Sequence, residues 1–311
     1  MNRYMPEGGL ISNPKNQEYI SSLERLDDAR ERGVILEAGV ILCDHNFNLH
    51  VDLGPRLRAI IPRDEVQYVR DGEEIKDIAI LTRVGKTVCF KVKRFEKSAG
   101  GEYIAILSRR EAQLECMLNY ISTLIPGDII PTKITHLENF GAFVDIGCGI
   151  TSLLSIDSIS VSRISHPSVR LSVGDMIHTV VKSIDSKGRI YVSERELLGS
   201  WNENASLFNE GQTVKGVIRS VESYGVFIEL RPNLAGLAEY REDVRPGQTA
   251  AVYIKSIIPE KMKIKLIIID SQDAAEYPEQ LEYFIDTDSI THIDYWQYSP
   301  PNCKRVIETV F

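Results

Sequence analysis

Hydrophobic and polar residues alternate along most of this chain in short stretches separated by glycine-containing turns. A period of two with many β-branched residues is typical of strands, because successive side chains of a strand point to opposite faces. Two segments, residues 126–196 and 210–268, repeat one order of features: a glycine, a β-branched stretch, an aromatic-Gly-x-Phe motif, a small-residue strand, then a glycine and two more strands. A weaker copy lies upstream, so the sequence predicts three tandem units.

Each unit of about seventy residues holds five short strands, which suits a small closed barrel without exposed strand edges. The predicted fold class is mainly β: three tandem five-stranded barrels (OB-fold) joined by short helical linkers and followed by a non-barrel C-terminal tail. The predicted organisation is an N-terminal arm at 1–30, a degenerate repeat at 31–112, a linker helix at 113–126, a repeat at 127–197, a linker at 198–209, a repeat at 210–269 and a tail at 270–311.

The segment between the first and second copies has the residue spacing of a helix. Leu114, Leu118 and Ile121 lie three or four residues apart, and Pro126 with Gly127 ends the run. Apolar residues at this spacing share one helix face, whereas proline and glycine stop a helix. A connecting helix is therefore expected between these copies.

The C-terminal tail is acidic and aromatic, and it shows no barrel period. Its aromatic residues argue against full disorder, so the tail could fold back as a cap on the third copy. From Asp270 onward nine acids stand against two bases, a net charge of −7 out of −8 for the whole chain. The preceding residues are almost neutral, which leaves room for local basic faces.

The composition gives little support for a membrane protein, a secreted protein or a metal-binding protein. No apolar run has the length of a membrane span, and the N-terminus lacks the apolar stretch of a secretory signal, so a cytoplasmic location is expected. Five cysteines are scattered and never two residues apart. A disulfide framework or a zinc site needs clustered cysteine pairs, so neither a metal nor another cofactor is predicted.

Several motifs carry a resemblance to a known family. They are FGAFVDIG at 140–147, RISHPSVRLSVGD at 163–175, SIDSKGRIYVSE at 183–194, YGVFIEL at 224–230, VDLG at 51–54 and ILSRREA at 106–112. With them, residues 31–269 resemble the RNA-binding repeats of the ribosomal protein S1 family. The order of copies is similar to the second, third and fourth repeats of that family's bacterial small-subunit protein.

The aromatic pair of the second copy is the main candidate for RNA binding. Phe140 and Phe143 are three residues apart, which puts them on opposite faces of a regular strand. Gly141 between them can take the backbone angles of a bulge, so that both rings reach the outer face. The resemblance implies that these rings are a stacking platform for bases. The alternative is that both are core residues.

Other candidates in the second copy depend on the resemblance. Asp185 and Arg189 bracket the last turn and match the family's acidic and basic positions beside the aromatics. Arg189 could bind a phosphate or stack on a base, and Asp185 could orient it; the alternative is an incidental surface ion pair. Ser155 stands where the family often has a histidine. His166 could line the RNA path or could simply pack in its loop.

The third copy offers Tyr224 and Phe227 as its platform, with Lys263 at the basic position. Ile258 takes the place of the acid, and Glu239 takes the place of Ser155, where it would repel phosphate.

The first copy lacks the aromatic-Gly-x-Phe motif but keeps Phe47 and His50 as weaker candidates. It also carries two groups of bases, Arg56, Arg58, Arg63 and Arg70 near its third strand and Lys91, Lys93, Arg94 and Lys97 on its fourth. The resemblance implies that such early repeats often dock on proteins instead of RNA. A charged copy with few aromatics fits either use.

The residues and the resemblance together predict a non-catalytic protein that binds single-stranded RNA or mRNA, in translation with the small ribosomal subunit. No membrane and no small-molecule substrate are expected. Two alternatives stay open: a protein-docking adaptor, and an accessory factor in RNA processing or decay. An enzyme is disfavoured, because the chain lacks a phosphate-cradling glycine-rich loop and its acids follow no familiar metal-ligand spacing.

Overall fold

The computed structural model describes residues 4–55, 57–69, 74–98, 100–273 and 282–311. These residues form three closed five-stranded barrels and a two-stranded C-terminal sheet, which confirms the predicted mainly β fold. The chain divides into two compact units: residues up to 124 with residues 145–151, and residues 125–144 with residues from 152 onward.

The first unit holds the first barrel and four helices. Its elements are α1 (Pro14–Ile20), α2 (Leu23–Glu31), β1 (Leu36–Cys43), β2 (Leu49–Asp52), β3 (Arg58–Ile61), α3 (Asp77–Leu81), β4 (Thr87–Lys97), β5 (Tyr103–Ser108) and α4 (Arg109–Asn119). The strands close in the order β1-β2-β3-β5-β4, with β3 and β5 parallel. Leu26 and Ala29 of α2 pack into the barrel core. The expected N-terminal arm is therefore a helical part of the first unit.

The helix after the first barrel begins earlier than the predicted linker. Ser108 caps α4, because its hydroxyl accepts a hydrogen bond from the backbone N–H of Glu111 at 2.9 Å. Such a cap satisfies one of the free N–H groups at a helix start. The helix ends at Asn119, and a 3₁₀ turn over Ile121–Thr123 follows.

The second unit holds the other two barrels and the C-terminal sheet. Its elements are β6 (Ile129–Glu138), β7 (Gly141–Asp145), β8 (Thr151–Ser155), α5 (Ile156–Ile159), β9 (Met176–Ile184), β10 (Ile190–Ser193), α6 (Trp201–Ala205), β11 (Thr213–Glu222), β12 (Gly225–Arg231), β13 (Leu234–Ala238), β14 (Thr249–Ile258), β15 (Lys263–Gln272), β16 (Tyr295–Gln297) and β17 (Glu308–Val310). The closed orders are β10-β8-β7-β6-β9 and β11-β12-β13-β15-β14. None of the described helices is long and apolar enough to cross a membrane.

The C-terminal residues pack on both barrels of the second unit, where the sequence suggested a cap on the third copy alone. Four of them cover the outside of the second barrel at Ile129, Val180 and Leu197, namely Tyr283, Ile285, Ile293 and Phe311. Trp296 and Tyr298 join the core cluster of the third barrel. Large aromatic side chains dominate packing energies, so this tail is an integral part of the second unit.

A buried carboxyl at the contact between tail and barrel makes stability depend on pH. The Tyr283 hydroxyl donates to Glu194 Oε1 at 3.0 Å, and burial raises the pKa of Glu194 to about 8. The folded state therefore binds a proton that the unfolded chain releases above its ordinary glutamate pKa of about 4.3. We expect the free energy of unfolding to decline between these two values by about 1 kcal/mol per pH unit.

Urea denaturation between pH 5 and 9 tests this expectation. The Glu194→Gln variant should have a slope shallower by about 1 kcal/mol per pH unit, whereas Glu242→Gln, at an exposed site, should keep the wild-type slope. An equal slope in the wild type and the Glu194→Gln variant would contradict the assignment.

Candidate nucleic-acid interface

The two aromatic rings of the second copy lie together outside the barrel core. Phe140 occupies the turn before β7 and is 54% exposed. Phe143 lies on β7 between Ala142 and Val144, which are both fully buried. The ring centroids of Phe140 and Phe143 are 6.0 Å apart at an interplanar angle of 88°. Phe140 therefore exposes ring surface to solvent, as stacking on a base requires.

Gly141 is required by the close approach of β7 to β8. Its φ of +157° lies outside the range that other residues adopt easily. A Cβ atom at this position would lie 2.3 Å from the carbonyl oxygen of Leu154. Any larger residue would therefore push the strand and its two aromatic residues away from β8.

The equivalent glycine of the third barrel, Gly225, lies in a regularly paired part of its strand. From Gly225 to Phe227, strand β12 pairs with β11 in regular register, and the irregularity lies in β11 between Ile218 and Ser220. A Cβ atom at Gly225 would lie 2.5 Å from the carbonyl oxygen of Ala238. In this copy the glycine permits close strand contact, and the first aromatic residue, Tyr224, precedes the strand.

Asp185 and Arg189 form an ordered turn between β9 and β10. Arg189 Nε donates to Asp185 Oδ2 at 2.7 Å, and the backbone N–H groups of Lys187 and Arg189 donate to Asp185 Oδ1. These hydrogen bonds lower the pKa of Asp185 to about 2. The Arg189 side chain stays largely exposed, so the turn presents an oriented guanidinium to solvent.

Ser155 lies at the end of β8, next to the aromatic turn. The backbone N–H of Ile156 donates to the carbonyl of Phe140 at 2.9 Å, which holds the two segments together. Ser155 Oγ donates to Ser158 Oγ, which also accepts from Lys182 Nζ at 2.8 Å. These hydrogen bonds therefore place Lys182 close to Ser155, and the sequence did not identify this lysine.

His166 has a role within its own loop. Its Nδ1 accepts from the backbone N–H of Ser168 at 3.1 Å and caps the 3₁₀ turn Pro167–Val169. Within the same motif, the buried Arg170 forms a two-armed ion pair with Glu229 of the third barrel. These contacts favour the alternative reading of His166 as a loop-packing residue.

His136 and Tyr191 are further candidates that the sequence reasoning did not identify. The His136 ring stacks on Phe143 with centroids 6.4 Å apart and an interplanar angle of 21°. Tyr191 lies half-buried on β10, in register with Leu153 of β8. Strand alternation could have revealed Tyr191, because it separates Ile190 from Val192, which are both buried. His136 follows the buried Ile134 by two residues, so strict alternation would have placed it on the inner face.

The third barrel repeats the aromatic pair. Tyr224 is 68% exposed in the turn before β12, and its ring centroid lies 6.0 Å from that of Phe227 at 87°. Lys263 begins β15 opposite Ile258, and its side chain is exposed. Glu239 follows β13 and is exposed, so this copy combines an open platform with both a cation and an anion.

The first barrel has no comparable platform among its described residues. Phe47 has a φ of +62°, packs partly on the core and carries the Arg63 guanidinium 4.8 Å from its ring centroid. Arg63 also pairs with Asp77 at 2.7 Å. His50 Nε2 lies 3.4 Å from Asp44 Oδ2. The Arg63 guanidinium therefore covers Phe47, and His50 lies beside Asp44.

The bases of the first barrel are largely paired with acids. Lys91 lies 2.6 Å from Glu115, and Lys93 lies at the same distance from Glu65. Arg94 pairs with its neighbour Glu96, and Arg58 lies 3.8 Å from Glu102. Arg56 and Arg70 fall outside the described residues. The surface is thus less basic than its lysine and arginine count suggests.

Comparisons with known proteins match the second barrel to a domain family and most of the chain to whole proteins. Residues 123–195, which contain the second barrel, match the model of the S1 RNA binding domain. The small ribosomal subunit protein bS1 of Staphylococcus saprophyticus is 27% identical over 280 residues, which cover 84% of this chain and 67% of that protein. The bS1 protein of Staphylococcus epidermidis is 27% identical over 321 residues, covering 98% of this chain and 77% of that protein.

Among solved structures, a multidomain protein with nucleic acid binding domains from Streptococcus pneumoniae is 14% identical and covers 76% of this chain and 74% of its own. Its TM-score is 0.24, too low to bear on fold or function. The domain match and the bS1 relatives agree with the resemblance that the motifs carry. Residues 123–195 of this chain therefore match the S1 RNA binding domain, and the chain as a whole is similar to bS1 proteins.

Proposed function

We propose that this protein binds single-stranded RNA, mRNA included, without catalysing a reaction, and that it does so in the cytoplasm during translation with the small ribosomal subunit. The observation that carries the proposal is the exposed pair of Phe140 and Phe143 in the S1 domain, with the oriented Arg189 in the turn before β10. Flat rings accept bases of any sequence, and a guanidinium binds phosphate oxygens.

Both barrels of the second unit contribute to this function. The pair of Tyr224 and Phe227 repeats the geometry of the first pair, with Lys263 as the cation. Stacking contributes about 1–3 kcal/mol per base. Because the two platforms belong to one chain, binding at one raises the effective concentration of RNA at the other. Glu239 should weaken the third barrel as a separate site.

The link to the small ribosomal subunit is supported by the relatives, which are small ribosomal subunit proteins bS1. Titration of fluorescent oligouridine with the full chain, followed by anisotropy, tests RNA binding directly. Sedimentation with small ribosomal subunits on a density gradient tests the ribosomal part. Oligouridine that stays unbound would overturn the RNA function, and RNA cleaved in the presence of Mg²⁺ would overturn the non-catalytic part.

Salt dependence provides a further prediction. Affinity for oligouridine should fall by about twentyfold when salt rises from about 50 to about 200 mM, as expected for about three phosphate contacts on a single strand. The same anisotropy titration at four salt concentrations measures the slope. An affinity that does not change with salt would show that phosphate contacts contribute nothing.

Protein docking by the first barrel is a second candidate function. The paired bases of β4 and the covered ring of Phe47 favour it over RNA binding for this barrel. Treating a cell lysate with RNase before sedimentation separates the two uses. Association with small subunits that survives RNase favours docking, and association that disappears favours tethering through RNA.

A further inference from the structure

A pseudo-symmetry between the second and third barrels identifies equivalent outer surfaces. In the second barrel, the backbone N–H of Gly127 donates to the carbonyl of Val181, and the N–H of Val181 donates to the carbonyl of Asp128, both at 2.8 Å. These bonds join the start of the barrel's first strand to its fourth strand, β9. These bonds identify which residues of the fourth strand are equivalent in the two barrels.

The third barrel repeats this pair of bonds. The N–H of Gly211 donates to the carbonyl of Ile254, and the N–H of Ile254 donates to the carbonyl of Gln212, again at 2.8 Å. Ile254 therefore corresponds to Val181. The residue before each one points outward, so Tyr253 of β14 corresponds to Val180 of β9.

These equivalent positions differ in what covers them. In the second barrel the tail packs over Val180 and Ile129, and Val180 is fully buried. In the third barrel Tyr253 is 37% exposed, and its cross-strand partner Ile267 is 47% exposed. Ile269, two residues further along β15, is 56% exposed.

We name Tyr253, Ile267 and Ile269 the β14–β15 face. Exposed aliphatic residues clustered on one sheet surface, with polar neighbours at the rim, mark interaction sites. Lys255 and Lys265 lie beside the face, are exposed, and make no ion pair within the described ranges. The rim is therefore basic at this end.

The charge at the rim selects among possible occupants. A second copy of the same face would bring lysines against lysines, which is repulsive. The tail segment that covers the equivalent surface of the second barrel, residues 282–311, contains five acids and two lysine or arginine residues. Asp270, at the far end of the face, interacts with Arg241. An acidic segment therefore complements the lysine end of the face.

The side chains of the face favour protein over RNA. Ile267 and Ile269 are branched aliphatics, which pack against apolar side chains but offer no flat surface for a base. Only Tyr253 among the three could stack. The barrel is closed, so the occupant would dock through its side chains and not by adding a strand.

We propose that the β14–β15 face binds an acidic segment of another protein that carries aromatic or branched aliphatic side chains, in the way the tail covers the second barrel. The site is separate from the platform of Tyr224 and Phe227. RNA binding can therefore fail without affecting this proposal, and the reverse also holds.

A peptide with the sequence of residues 282–297, which has four acids and no lysine or arginine, is the probe. Labelled and titrated with the full chain, it should bind with a salt-dependent affinity. Ile267→Ser with Ile269→Ser should weaken this binding at least fivefold, and Lys255→Glu should weaken it at least twofold. Leu207→Ser with Val173→Ser, which changes exposed aliphatics elsewhere in the same unit, should have no effect.

Four results would overturn the proposal. The peptide could fail to bind, or it could bind equally well to the Ile267 and Ile269 variant, which would indicate displacement of the chain's own tail. Oligouridine could require these two isoleucines, which would assign the face to RNA. Sedimentation equilibrium could show a dimer that the variant abolishes, which would assign the face to a second copy. Circular dichroism of each variant checks that the substitutions leave the fold intact.

Discussion

Replacing Phe140 and Phe143 together by alanine should weaken binding of single-stranded RNA at least tenfold while the second barrel stays folded. Each ring that loses a base removes about 1–3 kcal/mol of stacking, and a factor of ten needs only about 1.4 kcal/mol. The fold should survive because Phe140 is mostly exposed and Phe143 is only partly buried. Anisotropy titration with oligouridine and a thermal unfolding curve measure the two effects.

A matched control comes from the first barrel. Tyr103 is an exposed aromatic residue on β5 with Lys97 over its ring, so Tyr103→Ala removes a similar surface ring. Its RNA affinity should equal that of the wild type. Tyr224→Ala with Phe227→Ala should cause a smaller loss than the first pair, because Glu239 already disfavours phosphate beside that platform. Unchanged affinity after loss of Phe140 and Phe143 would remove the second barrel from the binding site.

Arg109→Met should destabilise the first unit by about 3–5 kcal/mol, as is usual when one partner of a buried ion pair is removed. Arg109 is fully buried, and its guanidinium donates to both carboxylate oxygens of Glu7, at 2.6 and 3.0 Å. Burial raises the pKa values of the nearby Asp145 and Glu37 to about 7. Without the arginine, this group of carboxyls loses its main buried cation.

Denaturant titration with hydrogen exchange of β4 and β5 as the local readout measures this effect. Arg94→Met is the control, because Arg94 forms a comparable pair with Glu96 on the surface and should lose less than about 1 kcal/mol. Glu7→Leu combined with Arg109→Met should be less destabilised than Arg109→Met alone, since the Glu7 carboxylate is then no longer buried without its arginine. Equal losses for Arg109→Met and Arg94→Met would contradict the prediction.

The repeat pattern was sufficient to predict the three barrels, because strand alternation and turn glycines are local features that the chain displays three times. The outward position of Phe140 and Phe143 also followed from a local motif. The structural reason for this position could not be predicted, because the close approach of Gly141 to the carbonyl of Leu154 involves two different strands. Only the folded chain shows which strand a glycine approaches.

Contacts between distant segments account for what the sequence did not reveal. The pairing of Lys91 with Glu115 and the placement of Arg63 over Phe47 turn a basic, partly aromatic first copy into a covered and neutralised surface. The stacking of His136 on Phe143 depends on the register of neighbouring strands. Such pairs have no sequence signal of their own, because each residue alone is compatible with a solvated position.

The covering of the second barrel by the tail has a consequence for synthesis. Ribosomes make chains from the N-terminus at about 5–20 residues per second, and domains fold as units while synthesis continues. Val180 and Ile129 therefore remain in contact with water until residues 283–311 have left the exit tunnel. A ribosome that stalls before those codons holds a nascent second barrel with an apolar patch that chaperones and proteases can recognise.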